Sequence, residues 1–290
     1  MPEDIWTVSS TLAWTQGYLA RHDDVQPRVS AQWLLGAATG LSRMELYTQY
    51  DRVLSELELG NLRGMILRRA KGEPLQYITG RAPFRTIEVA VEPGVLIPRP
   101  ETEVLVGEAL TFIPKEEPST VLDLCCGSGC IACAVAVERP EAGVIAVDID
   151  DKAVALTERN AKALGVADRV EVYQGDLFAG VPEILKGGID VIVTNPPYIP
   201  TEVLKELPAE VADYEPRLAL DGGEDGLDLF RAILTASEAW LSAEGVLVVE
   251  LHEACLEEAQ SLAEDAGFAR TRIVNDLAGK PRVLIAWRES

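Results

Sequence analysis

Apolar residues recur at helical spacing from Ile5 to about Lys71: Val8, Leu12 and Leu19; Val29, Trp33 and Leu34 behind Pro27; Met44, Leu46 and Tyr47 behind Ser42, a residue suited to capping; then Leu57, Leu62, Met65 and Ile66. Gly17, Gly36, Gly40, Gly60 and Gly64 divide the run, which predicts a small bundle of four or five helices. Between Gly72 and Pro100 the period shortens. Leu75 and Tyr77, then Phe84, Ile87, Val89 and Val91, predict two short strands around a turn at 80–83, a hairpin linking two domains. From Val121 onward, apolar runs at 121–124, 143–147, 169–173, 189–194, 245–251, 270–274 and 283–287 alternate with helical stretches near 129–138, 151–164, 226–241 and 254–266. Such alternation predicts an α/β domain on a doubly wound, mostly parallel sheet of seven strands. Only a turn-like stretch at 275–282 precedes the last strand, so it is free to pair antiparallel. The expected divisions are 1–73 for the bundle, 74–97 for the hairpin linker and 98–290 for the α/β domain.

Chemistry gathers where these strands end. Val191-Ile192-Val193-Thr194 runs into Asn195-Pro196-Pro197-Tyr198, and two successive prolines can neither continue a ladder nor begin a helix at once. The Asn195 amide and the carbonyl of Pro196 are therefore expected as a stiff acceptor pair at a strand's C-terminal edge, suited to a planar NH2 group. Earlier, Asp123-Leu124-Cys125-Cys126-Gly127-Ser128-Gly129 follows a strand and opens a helix, a place where small residues let backbone approach a ligand. Asp148 closes the next strand, placed to accept from both hydroxyls of a ribose, and Asp176 follows the one after, placed to accept from an exocyclic amine with Leu177 against a purine face. Three acceptors at three strand ends describe a nucleoside pocket. The loop lacks the spaced glycines of a dinucleotide site, so the pattern fits S-adenosylmethionine, a nucleoside joined to a zwitterionic amino acid.

Charge narrows the partners. The chain carries 26 basic and 47 acidic side chains, net −21. The first 75 residues hold 8 basic and 9 acidic ones, so nearly all the excess lies in the α/β part. This argues against a phosphate backbone as the main partner. Arg63, Arg68, Arg69 and Lys71 read as a solvated helix face. Five cysteines, four of them between Cys125 and Cys133, do not make a disulfide framework. Cys126, Cys130 and Cys133 have spacings known in metal sites, but small residues packing a helix onto a sheet are the expected reading, with no metal. His22 and His252 have no partner pattern. No stretch has the length of a membrane span, and Met1-Pro2-Glu3-Asp4 does not resemble a leader, so a cytoplasmic protein is expected.

With these motifs placed, the chain resembles the class I S-adenosylmethionine-dependent methyltransferases, and more narrowly the release-factor glutamine methyltransferases. The likeness rests on Gly72-Glu73-Pro74-Leu75-Gln76-Tyr77-Ile78-Thr79-Gly80, on Val95-Leu96-Ile97-Pro98-Arg99-Pro100-Glu101-Thr102-Glu103, on Ser128-Gly129-Cys130-Ile131, on Asn195-Pro196-Pro197-Tyr198-Ile199 and on Leu220-Asp221-Gly222-Gly223-Glu224-Asp225-Gly226-Leu227, in that order. The resemblance implies a Rossmann-like seven-stranded methyltransferase domain behind a helical bundle that grasps the protein substrate. It implies that Cys125, Cys126, Gly127, Ser128, Gly129, Asp148, Asp176, Leu177 and Asn195 bind S-adenosyl-L-methionine. It also implies that Asn195, Pro196, Pro197 and Tyr198 grip the acceptor, the glutamine of the Gly-Gly-Gln loop of class 1 peptide-chain release factors, with Tyr198 stacked on the amide plane. The enzyme is expected as a monomer that engages neither nucleic acid nor membrane. At two positions the chain departs from the family pattern, which usually has glycine at Cys125 and often an aromatic at Leu177. The alternatives are a DNA or RNA exocyclic-amine methyltransferase, which shares the tetrad in kind, and a catalytically idle binding module that docks on a release factor or a ribosome-associated protein.

Overall fold

The computed structural model describes residues 5–288; the Met1-Pro2-Glu3-Asp4 stretch read for a leader lies outside them. Two compact units divide the chain. One contains the residues up to Arg81 together with Pro208–Tyr214, and the other contains Ala82–Leu207 and the residues from Glu215 onward.

The first unit is helical: α1 (Val8–Ala20), α2 (Pro27–Thr39), α3 (Arg43–Thr48), α4 (Glu56–Arg69) and α5 (Leu75–Thr79), with a single turn at Ala209–Ala212. Its helix ends are specified locally. Ser42 and Ser55 cap α3 and α4 through reciprocal bonds with Glu45 and Glu58, each arrangement satisfying otherwise orphaned N–H groups. Leu19, Leu34, Leu35, Leu46, Leu62 and Ile66 close the core between them. Two expectations fail here. Leu75 and Tyr77 lie on a helix, because Pro74 starts the turn and Gly80, left-handed at φ 74°, ends it; five residues are too few to tell period 2 from period 3.6. Arg69 is buried, not solvated, and bonds to Asp24 at 2.7 Å and Glu210 at 2.8 Å. A buried guanidinium persists when paired in this way.

The second unit opens with a two-stranded sheet, β1 (Arg81–Phe84) and β2 (Ile87–Ala90), turned at Arg85 with φ 52°. It continues through α6 (Pro100–Ala109), β3 (Ser119–Leu124), α7 (Cys130–Glu138), β4 (Ala142–Asp148), α8 (Asp151–Ala163), β5 (Val170–Gln174), β6 (Ile189–Thr194), α9 (Asp228–Trp240), β7 (Leu241–Glu250), α10 (Leu256–Asp265), β8 (Arg270–Asn275) and β9 (Pro281–Trp287). The seven-stranded sheet has the order β5-β4-β3-β6-β7-β9-β8. Strands β3 to β7 pair parallel, and β9 runs antiparallel between β7 and β8, as the short approach to the last strand predicts. Residues Cys130 to Ala136 of α7 are all buried, so Cys130 and Cys133 act as small core residues. Strand order reverses between β3 and its two neighbours β4 and β6, and at such a switch point the C-terminal edge opens a crevice for ligand.

Candidate active site

Register lines up the chemistry. Leu124 pairs with Val147 on one side and Thr194 on the other, and Thr194 pairs with Val249. One residue further along, Asp148, Cys125, Asn195 and Glu250 therefore emerge as neighbours along the sheet edge. Asp148 pairs in turn with Gln174, two residues before Asp176. A cavity of about 710 Å³ opens on this edge, lined among others by Cys125, Cys126, Gly127, Ser128, Asp148, Asp176, Leu177, Thr102, Asn195 and Pro197. That volume suits a nucleoside-sized ligand.

On one side the 125–129 loop is held from beneath. Cys125, Gly127 and Gly129 all have positive φ, at 60°, 56° and 73°. Thr157 of α8 donates to the Gly127 carbonyl at 3.1 Å, and Asn160 donates to the Ser128 carbonyl at 2.8 Å. A Cβ on Gly129 would stand 2.6 Å from the Thr157 side chain, so only glycine fits there. Asp148 accepts from the N–H groups of Gly127 at 2.8 Å and Asp150 at 3.0 Å. Burial pushes its pKa up, and those bonds oppose the shift. Each of its oxygens retains a lone pair for a ligand hydroxyl. Below the loop, the fully buried Asp123 accepts from the Ala132 N–H at 3.0 Å. Burial also raises the thiols, Cys133 to about 12, so they remain protonated and are poor ligands or nucleophiles. Among the described residues no group of three or more His, Cys, Asp or Glu side chains is arranged to hold a metal ion.

On the other side, Asn195 turns its Nδ2 to the Thr102 Oγ1, 3.1 Å away on α6. Tyr198 donates its hydroxyl to Glu250 Oε1 at 3.1 Å. Glu250 is fully buried, and among the described residues its Oε2 has no hydrogen-bond partner. Desolvation pushes its pKa up to about 7 against the opposing influence of Thr102, Tyr198 and Arg282. Burial and the nearby Glu250 keep the Tyr198 phenol protonated. The 220–227 segment clamps the tetrad from behind: Ile199 N–H donates to the Leu220 carbonyl at 2.9 Å, and Gly222 N–H to the Ile199 carbonyl at 2.8 Å. A Cβ on Gly226 would meet the Tyr198 carbonyl at 2.3 Å, which accounts for the glycines there.

The chain matches the family model for the PrmC N-terminal domain over residues 10–80 and that for the methyltransferase small domain over 102–208. It is 44% identical to the release factor glutamine methyltransferase of Geobacter sulfurreducens over 97% of this chain and 96% of that one. The chain belongs to the release factor glutamine methyltransferase family. Its relatives of the same name in Rhodopirellula baltica and Moorella thermoacetica are 39% and 40% identical, covering 96% and 91% of this chain and 95% and 92% of theirs. The fold is also that of a methyltransferase from Pyrococcus furiosus, with a TM-score of 0.53 at 19% identity over 70% of this chain and 89% of that one.

Of the residues expected at the site of this family member, all but Gly129, Pro196 and Tyr198 line the cavity. Gly129 caps α7 from below, and Tyr198 turns its hydroxyl to Glu250. Two polar residues at the tetrad escaped the sequence reading. Neither Thr102 nor Glu250 is among the site residues that the sequence predicts. The signal for Glu250 was present as a lone carboxylate closing the apolar run Val246-Leu247-Val248-Val249. Among the described residues no helix is long and apolar enough to cross a membrane.

Proposed function

We propose that this enzyme methylates the side-chain amide nitrogen of the glutamine in the Gly-Gly-Gln motif of class 1 peptide-chain release factors, in the cytoplasm, with S-adenosyl-L-methionine as donor. The single observation that carries the reading is the Asn195 amide, whose NH2 is engaged by Thr102, leaving its Oδ1 as an acceptor at a cavity edge. The donor supplies an electrophilic methyl group on sulfur. Asp148 would accept from the ribose hydroxyls, Asp176 from the adenine amine, and the 125–129 loop would follow the amino-acid portion; the cavity volume and the remaining lone pairs of Asp148 fit such a group.

An amide nitrogen is a weak nucleophile because its lone pair is shared with the carbonyl. Asn195 Oδ1 and the Pro196 carbonyl would take its two hydrogens, hold the nitrogen in line and favour pyramidal geometry. Catalysis is then mainly positioning and local electrostatics, without a strong base before transfer. The nitrogen gains a carbon bond as the sulfur–carbon bond breaks, and the proton leaves from the methylated, more acidic nitrogen to water. Tyr198, tied to Glu250, anchors the tetrad. The helical unit is assigned to the body of the release factor.

The test is incubation with methyl-labelled S-adenosylmethionine and, separately, an intact class 1 release factor, the same factor with the Gly-Gly-Gln glutamine replaced by alanine, and duplex DNA. Label on the intact factor alone is expected. Label on DNA would replace this reading with that of a nucleobase amine methyltransferase.

A further inference from the structure

The amino-acid portion of the donor carries an ammonium and a carboxylate, and the cavity is lopsided toward the first. Asp148, Asp150, Asp176, Asp221 and Asp228 line it, against two cationic side chains, Arg99 and Arg217. Acidic walls attract an ammonium and repel a carboxylate. The carboxylate therefore needs hydrogen-bond donors of its own.

The 125–129 loop has few to give, because most of its N–H groups are spent within the fold. Cys126 N–H donates to the Val147 carbonyl at 3.1 Å, Gly127 N–H to Asp148 at 2.8 Å and Gly129 N–H to the Cys126 carbonyl at 2.7 Å. Of the two cations, Arg217 has a side chain 72% exposed and ties back to Asp221, four residues further on, at 2.9 Å. Water and salt screen a charge so placed.

Arg99 is placed differently. Its side chain is 32% exposed, and its Nη2 donates to both oxygens of Glu215, at 2.7 and 2.6 Å. The Glu215 side chain is 1% exposed, so the guanidinium is held from one side by a buried group. A guanidinium has five N–H donors; Nη1, with two of them, and Nε remain to serve a ligand. The segment that carries Arg99 follows the cavity. At one end Val95 faces Gly127, where an added Cβ would stand 3.9 Å from its Cγ1, and at the other Thr102 meets Asn195 at 3.1 Å. Arg99 lies between those points in the chain, at the start of α6, and the amino-acid portion laid over the loop would lie between the same two points.

We propose that Arg99, held by Glu215, binds the carboxylate of the amino-acid portion of S-adenosylmethionine. The site then matches a zwitterion, with acidic side chains for the ammonium and one oriented guanidinium for the carboxylate. Glu215 does not touch the donor; it fixes the side chain that does. The inference rests on the reading of this cavity as the donor site, and it is independent of the acceptor.

The experiment measures, by calorimetry, the affinities of S-adenosylhomocysteine and of its decarboxylated analogue, which keeps the ammonium, for wild type, Arg99→Met and the double variant Arg99→Met with Glu215→Met. The double variant is needed because the single one leaves Glu215 buried without its partner. Wild type is expected to prefer S-adenosylhomocysteine by about 10- to 100-fold, as for hydrogen bonds to a charged group. Both variants are expected to bind the two ligands within about threefold of each other, by losing affinity for S-adenosylhomocysteine and little for the analogue. Equal affinities in wild type, or a preference that survives in either variant, would overturn the proposal. Wild type that bound neither ligand would remove the donor reading itself. No release factor enters the experiment, so failure of the proposed acceptor leaves its result standing.

Discussion

Around residues 125–129 the cavity wall is made of backbone and short side chains pinned by Thr157 and Asn160, whereas at Asn195 it is made of polar side chains, Asn195 bonded to Thr102, and behind that wall Tyr198 donates to Glu250, a carboxyl with one oxygen unpartnered among the described residues. The first region obtains its shape from left-handed residues and helix packing, the second from the direction of a few hydrogen bonds. A common cofactor can be held by shape and a few acceptors, but choosing one amide among many side chains requires a defined donor–acceptor polarity. On the proposed function, where the 125–129 region holds the donor and Asn195 the acceptor, the first should respond to substitution through affinity and the second through turnover.

The largest effect that would sharpen this contrast is expected from Asn195→Ala. Turnover on the release factor should fall on the order of 1,000-fold, as when a preorganised transition-state contact is removed, while calorimetric affinity for S-adenosylhomocysteine changes by less than about tenfold. Equal losses in both would erase the distinction. Asp148→Ala should do the reverse, weakening S-adenosylhomocysteine by about 10- to 100-fold through the lost charged acceptor, with kcat at saturating donor much less affected.

Glu250→Gln tests the cost of the acceptor region's polarity. The folded protein raises this carboxyl from 4.5 to about 7, so its contribution to stability is fully present below pH 4.5 and is lost as pH rises through 7. At pH 8 the glutamine variant should be more stable than wild type by up to about 3 kcal/mol, and the advantage should vanish near pH 5. Denaturant unfolding at the two pH values measures this, and no pH-dependent gain would mean that Glu250 is not held at a cost.

Legibility in the sequence followed the same divide. Strands such as Ile189–Thr194 and helices such as Asp151–Ala163 were readable because burial on both strand faces, or on one helix face, dictates a period. Asp148 and Asn195 were readable because strand ends at a switch point put them at an edge. Leu75–Thr79 was misread because its length cannot fix a period, and Arg69 because its partners Asp24 and Glu210 are distant in sequence. Thr102 and Glu250 were missed for a related reason. Their roles lie in contacts across 93 and 52 residues of chain, which no local pattern encodes.

The smallest expected effect belongs to Cys125→Gly. Relieving a φ of 60° gains about 1 kcal/mol, and the added freedom of glycine in the unfolded chain removes a similar amount. The melting temperature should move by no more than about 4 °C. A larger fall would show that the Cys125 side chain, and not backbone shape alone, holds the donor region.

The central claim is that the outward Asn195 oxygen receives a glutamine amide, and its most direct measurement is tandem mass spectrometry of an intact class 1 release factor after reaction with wild type and with Asn195→Ala. The account predicts a single methyl group on the side-chain nitrogen of the Gly-Gly-Gln glutamine with wild type, and none with the variant although it still binds S-adenosylhomocysteine. A methyl group on any other residue, or an unchanged yield from Asn195→Ala, would contradict it.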